Sequence, residues 1–213
     1  APASDDHPVR AQFSALAKEL GVYILIGSVS VKVSDDKIAN RSILFSDVGD
    51  IVAEYDKVHL FYVELEGGES YRESAVVKAG ENLAIADSNI GKIGMSICYD
   101  VRFPHLFRDL AHKGAEVLTV PSAFTVPTGK AHWATLLRAR AIENGAFVIA
   151  AAQCGEHDGG RKTYGHSMII GPWGDVLAEG GTEPCIIMAE IKPADVARAR
   201  QAIPSLKHDR QYS

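Results

Sequence analysis

Gly94-Met95-Ser96-Ile97-Cys98-Tyr99-Asp100-Val101-Arg102-Phe103-Pro104 is the stretch on which the reading of this chain turns. The apolar run 93–97 ends in a single cysteine and gives way to polar residues and then a proline, whose fixed φ suits the first turn of a helix. That order describes a buried strand, a tight elbow and a helix N-terminus looking back at the Cys98 thiol. A buried cysteine is equally at home as core filling. The stretch alone leaves both readings open, and the surrounding chain has to decide between them.

The chain of 213 residues, 46% hydrophobic and 23% charged, has the size and composition of one domain, 1–213, with a sizeable core. Its net charge of -5, with basic residues scattered among acids, offers no stripe for nucleic acid or an anionic membrane. Cys98, Cys154 and Cys185 are far apart and odd in number, as expected of free thiols in a reducing, cytoplasmic compartment. No apolar run is long enough to cross a bilayer, and the first residues lack the pattern of a signal peptide. Residues 1–8 read as a loop from the interior of something larger, so an N-terminal portion is expected ahead of them. Phosphate-loop, CxxC and HExxH spacings do not occur, so neither cofactor nor metal is expected.

Apolar spacing predicts a helix over 9–20, a strand over 23–33 and an antiparallel meander with strands 42–45 and 51–55. Asn40-Arg41-Ser42 fits a glycosylation pattern and is read as chance. Residues 59–81 read as a long loop without period, followed by strands 83–86 and 92–97. Helices are expected over 104–113 and 132–144, a loop over 122–130, and buried strands over 117–120 and 147–152. Strands 164–170, 176–178 and 186–191 complete a layered arrangement built on two β-α-β passages. The tail from 194 starts as a short helix, ends basic, and is expected to pack on a partner subunit.

A cysteine nucleophile needs hydrogen-bond donors where charge develops on the attacked carbonyl. The Tyr99 backbone N–H at the elbow is one candidate. Lys57, in Tyr55-Asp56-Lys57-Val58-His59 at the end of a strand, is a second, against the ordinary reading of a solvated surface lysine. Phe124 and Thr125 follow a strand that ends beside the cysteine and are expected to line the pocket. Asp100 and Arg102 read as structural supports that pair or bond to backbone beside the elbow, Arg138 and Arg140 as counterions of buried carboxylates such as Glu143, and His166 and Trp173 as packing or hydrogen-bonding residues.

Several pieces occur together in order: Lys57-Val58-His59-Leu60-Phe61, the Cys98 stretch, Pro121-Ser122-Ala123-Phe124-Thr125, Ala131-His132-Trp133 through Asn144, and Tyr164-Gly165-His166-Ser167-Met168 with Pro172-Trp173-Gly174. Over nearly the whole chain this resembles the nitrilase, or carbon–nitrogen hydrolase, superfamily, and within it the Nit amidase branch. The resemblance implies an α+β fold, a four-layer α-β-β-α sandwich, here without its first strand and helix. It implies a Glu-Lys-Cys triad in which Cys98 attacks a non-peptide amide, Lys57 and the Tyr99 N–H hold the oxyanion, ammonia leaves and water hydrolyses the thioester. Glu73 matches the family's second glutamate, although the residues themselves do not separate it from Glu64, Glu66 or Glu69. The family's general-base glutamate falls ahead of residue 1, which implies little activity for this chain alone. His105 stands where the family carries glutamate, which puts the local geometry of the helix start in question.

The substrates implied are small carboxylate-bearing amides, such as deaminated glutathione or the ω-amide of a keto acid, handled by a homodimer or higher homo-oligomer. A nitrile or N-carbamoyl substrate is the alternative within the same chemistry. Outside it stand a Cys-His hydrolase using His59, His132 or His166 as base, and a catalytically dead interaction module.

Overall fold

The computed structural model describes residues 7–64 and 70–211. Its first layer is helix α1 (Pro8–Leu20), which starts on a proline and ends at Gly21, where φ of 62° lets the Gly21 N–H close on the Ala17 carbonyl. Strands β1 (Ile24–Lys32), β2 (Ile38–Phe45) and β3 (Ile51–Asp56) form an antiparallel sheet beneath it. Successive residues of β2 point to opposite faces. Ile43 and Phe45 meet Ala17 and Phe13 of α1, whereas Leu44 turns the other way.

Leu44 and Tyr55 pack there against Met95, Val117 and Phe147, which belong to a second, six-stranded sheet. Its members are β6 (Ile85–Ala86), β7 (Ile93–Met95), β8 (Val117–Thr119), β9 (Phe147–Ala150), β12 (Met168–Ile170) and β13 (Val176–Glu179), in the spatial order β13-β12-β9-β8-β7-β6. β7, β8 and β9 run parallel, so each connection must cross over. Helices α2 (Pro104–His112) and α3 (Val126–Asn144) make those crossovers. Leu118 and Val148, one residue on from Val117 and Phe147, bury against Leu106, Phe107, Leu110, Trp133 and Leu137 of the helices. The α-β-β-α sandwich follows from these alternations, with one apolar layer between each pair of tiers. No helix among the described residues is long and apolar enough to cross a membrane.

Five stretches differ from the expectations above. The loop over 59–81 contains a hairpin of β4 (Tyr62–Glu64) and β5 (Ser70–Arg72) and a 3-10 turn, Glu73–Ala75. Helix α3 begins at Val126 inside the expected loop 122–130, because Thr125 is extended and Pro127 sits in the first turn, where its missing N–H costs nothing. The expected strand 164–170 is two strands, β11 (Lys162–Tyr164) and β12, separated where Gly165 and His166 take φ of 70° and 57°. β11 pairs with β10 (Cys154–Glu156), a hairpin closed through Asp158-Gly159-Gly160, a turn signal not taken up in the sequence reading above. Residues 186–191 form no strand: they find no ladder partner among the described residues, and Ile186 and Met188 are exposed.

The tail also differs. Helix α4 (Pro193–Ala202) buries Val196 in the layer between the sheets, and Arg200 donates to the carbonyls of Ala115 and Asn144. Beyond it, Asp209 pairs with Arg108 and with His112 Nε2, the latter at 2.6 Å. The tail therefore folds back on its own chain.

The hairpin of β10 and β11 lies against α3 at Gly129, where a Cβ would stand 2.3 Å from Cγ of Tyr164. Alanine favours an exposed helix interior over glycine by about 1 kcal/mol. Here overpacking outweighs that preference, so Gly129→Ala is expected to lose about 1–3 kcal/mol in urea unfolding; an unchanged or raised midpoint would show that the hairpin yields freely.

Candidate active site

Two strand ends meet at a cavity of about 180 Å³. One is the end of β3. Its last ladder contact passes to Lys57, whose N–H donates to the Asn40 carbonyl and whose own carbonyl accepts from the Gly80 N–H, both at 2.9 Å. With the backbone pinned on both sides, the side chain turns inward and only 3% of the residue is exposed. Its Nζ lies 2.5 Å from Oε2 of Glu73, which is also buried. Burying two charges is tolerable only when each is paired and the remaining lone pairs are filled. The Phe61 N–H donates to Glu73 Oε2 at 2.6 Å, and Asn40 Nδ2 donates to Oε1 at 3.2 Å. The surface-lysine reading of Lys57 is excluded by this burial.

The other end is the elbow. After β7 the chain stays registered on the end of β8 and the loop that follows it: the Ser96 N–H and Oγ both donate to the Thr119 carbonyl, and the Cys98 N–H donates to the Pro121 carbonyl at 2.9 Å. Cys98 then takes φ of 51°, a region that side chains other than glycine, asparagine and aspartate seldom occupy. Such a conformation persists only where its surroundings over-determine it. The chain runs next into a five-residue 3-10 turn, Cys98–Arg102, so the helix N-terminus expected beside the thiol is that of this turn, and α2 starts only at Pro104.

Asp100 joins the two ends. It is fully buried, and each carboxylate oxygen accepts twice. Oδ1 takes the His59 N–H at 3.0 Å and lies 2.8 Å from His59 Nδ1; Oδ2 takes the Tyr55 hydroxyl and the Ile97 N–H, both at 2.8 Å. Burial, and then the neighbouring Asp100 charge, push the Tyr55 phenol far above its ordinary range, so it keeps its proton and donates. Of the two expectations for Asp100, the bonds to backbone beside the elbow are present, from the Ile97 and His59 N–H groups, and the pairing with Arg102 is not. Arg102 lies over the rings of Tyr99 and Phe124, with Nη1 at 3.3 Å from His132 Nδ1.

Cys98, Lys57, Glu73, Tyr99, Phe124 and Thr125 all line the one cavity. Of the other glutamates considered, Glu66 and Glu69 lie outside the described residues, as does the side chain of Glu64. Among the described residues no histidine lines the cavity. His59 is stacked on Phe103 with centroids 3.7 Å apart, and His166 is stacked on Tyr164 with Nδ1 at 3.0 Å from Glu179. His105 sets its ring edge-on to His59 and Phe103, and α2 begins at Pro104. Arg140 pairs with Glu143 at 2.6 Å, whereas Arg138 donates to the Gly174 carbonyl. Trp173 is mostly exposed.

Sequence reasoning missed Asn40, Tyr55, Gln153 and Arg161. Asn40 carried a misleading signal, the glycosylation pattern, although its place on β2 opposite the end of β3 is what aims it at Glu73. Gln153 and Arg161 line the cavity from the hairpin that was not anticipated.

Replacing Asp100 by asparagine keeps the volume but sets an NH2 group against donors. Asp100→Asn is expected to destabilise the chain by about 3 kcal/mol in urea unfolding and to slow alkylation of Cys98, because both site segments lose their common anchor. A variant of unchanged stability would remove Asp100 from that role.

Comparison with known proteins gives this arrangement a family. The carbon-nitrogen hydrolase profile matches residues 1–201. The deaminated glutathione amidase of Synechocystis sp. is 47% identical over 197 residues, covering 91% of this chain and 72% of that protein. The crystal structure of the C. elegans NitFhit protein superposes with a TM-score of 0.90 at 40% identity, covering 97% of this chain and 51% of that one. A mutant amidase from Nesterenkonia sp. AN1, 29% identical with a TM-score of 0.75 and coverage of 91% and 70%, carries the acetamide moiety of fluoroacetamide covalently on its active-site cysteine. The chain belongs to the carbon-nitrogen hydrolase family.

Proposed function

We propose that this chain hydrolyses a small carboxylate-bearing amide through a thioester on Cys98, with deaminated glutathione and the ω-amides of keto acids as the leading substrates. The observation that carries the reading is the convergence of a positive-φ cysteine and a buried lysine, already paired with a carboxylate, on one cavity. The names of the relatives and the cysteine adduct in the Nesterenkonia structure support it.

In this reading the Cys98 sulfur attacks the amide carbon and the carbonyl electrons move to oxygen. Lys57 and the Tyr99 N–H stabilise that oxyanion; N–H groups in the first turn of a helix have no acceptor within the turn and are free for such use. Collapse of the adduct breaks the C–N bond, and the nitrogen takes a proton as it leaves. A keto-acid ω-amide gives ammonia, whereas deaminated glutathione, whose amides are secondary, gives an amine. Water then attacks the thioester, releasing the acid and restoring the thiol. Glu73 acts as a positioning residue, because its oxygens are committed to Lys57, Phe61 and Asn40.

The proton transfers call for a further carboxylate. Among the described residues Glu73 is the only carboxylate lining the cavity. In the proposed Glu-Lys-Cys triad that further carboxylate is a glutamate other than Glu73, acting as general base.

The test is release of ammonia or amine across a panel of deaminated peptides and keto-acid ω-amides. Cys98→Ala is expected to abolish turnover, and Lys57→Met to lower it about 10²–10³-fold, as loss of one oxyanion donor does. His132→Ala and His166→Ala are expected to stay within about tenfold, since general-base catalysis carries about 10²–10⁴. A histidine variant as inactive as Cys98→Ala would favour a Cys-His hydrolase.

A further inference from the structure

The cavity carries a charge that the reaction itself does not need. Lys57 and Glu73 cancel, but two arginines, Arg102 and Arg161, also line it. Several arginines elsewhere are matched with acids, Arg10 with Glu54, Arg41 with Asp56, Arg108 with Asp209 and Arg140 with Glu143, while Arg138 and Arg200 donate to backbone carbonyls. Neither cavity arginine has a carboxylate partner among the described residues. Arg102 is committed to two aromatic rings and His132. Arg161 is bound differently. It is solvent-exposed, and its described hydrogen bond is one from Nη2 to the Ala123 carbonyl at 2.8 Å, a neutral acceptor on the same rim.

Nor is Arg161 on a loose loop. It sits in the turn between β10 and β11, and its carbonyl accepts from the His157 N–H at 2.8 Å. His157 Nε2 lies 2.7 Å from Thr163 Oγ1, the Tyr164 N–H donates to the Phe124 carbonyl, and Thr163 bridges Thr125. The hairpin is thereby fastened to the segment carrying Phe124 and Thr125, which lines the same cavity. A guanidinium held at the rim, satisfied on one N–H and lacking a counterion, suits bidentate recognition of a carboxylate.

We infer that Arg161 selects substrates bearing a carboxylate remote from the scissile amide, a specificity role that rests on the amidase reading of the same cavity. The attached carboxylate meets Arg161 at the rim while the amide carbon lies at Cys98 inside. Amides without that charge lose this contact and keep the rest.

The experiment compares alkylation of Cys98 by N-iodoacetylglycine and by its uncharged twin N-iodoacetylglycinamide, followed peptide by peptide by mass spectrometry, and needs no turnover. The unsubstituted protein is expected to react faster with the acid. Arg161→Gln is expected to slow the acid about tenfold, the scale of one charge-assisted hydrogen bond, and the amide by less than about twofold, with Arg161→Lys recovering part of the loss. No preference for the acid in the unsubstituted protein, or an equal loss for both reagents in Arg161→Gln, overturns the role of Arg161. Alkylation of Cys98 by the uncharged reagent no faster than Cys154 counts instead against the nucleophile itself, so the two failures are told apart.

Discussion

A single carboxylate without solvent exposure ties the active site together. Asp100 accepts from the Ile97 N–H on the elbow side and from the His59 N–H and Tyr55 hydroxyl on the lysine side. Those groups lie on or just beyond strands of different sheets, and the side chains packed between the sheets around them are largely apolar. A buried anion there is costly unless its acceptor sites are filled. The geometry that fills them also sets residues 55–59 against residues 97–100. Stability and site geometry thus depend on the same contacts: loosening the donors to Asp100 would expose an unpaired charge and separate Lys57 from Cys98 together.

The elbow shows the complementary principle. A non-glycine residue at φ of 51° is strained, by roughly 1–3 kcal/mol for such conformations. The strain is held by regular structure on either side, since β7 lies in register between β6 and β8 and the Cys98 N–H is fixed to Pro121. Pro121 is in turn packed by the backbone of Gly27 on β1, where a Cβ would come within 2.2 Å of the proline ring. Any side chain at Gly27 would press on the segment that holds the thiol, which is how the first sheet takes part in a site borne mainly by the second.

What was legible in the sequence follows from the range of the forces involved. Periodicity reports burial of one face, so α1, α2 and the strands flanking Cys98 could be read locally, and the four-layer architecture followed from a resemblance spread over the chain. The hairpin over 154–164 carries a turn signal in Asp158-Gly159-Gly160, but its strands are short, mostly exposed and held to α3 through Gly129, so no apolar alternation flanks the turn. The start of α3 was obscured by Pro127 and Gly129, residues that punctuate loops unless a tertiary contact requires them. Residues 186–191 form an apolar run like a strand, but such a run supplies no partner. Among site residues, Cys98 and Lys57 carried signals in their own neighbourhoods, whereas the Asn40 contact to Glu73 and the Tyr55 contact to Asp100 exist only once β2 and β3 are paired and the sheets are stacked.

The buried Lys57–Glu73 pair is better understood through positioning than through stability. Removing two charges from water offsets most of what their attraction returns, so a well-packed apolar pair could hold the same space as firmly. What an apolar pair could not do is present an ammonium at a fixed point before substrate arrives. Glu73 is saturated by three donors from Lys57, Phe61 and Asn40, so its orientation is fixed by backbone elements rather than by the lysine alone. The ammonium keeps N–H groups beyond the one directed at Glu73, since it has three. An oxyanion forming in the cavity would thus meet a donor already in place, without the reorganisation that water would require, which is the condition under which electrostatic stabilisation favours the transition state over the bound amide.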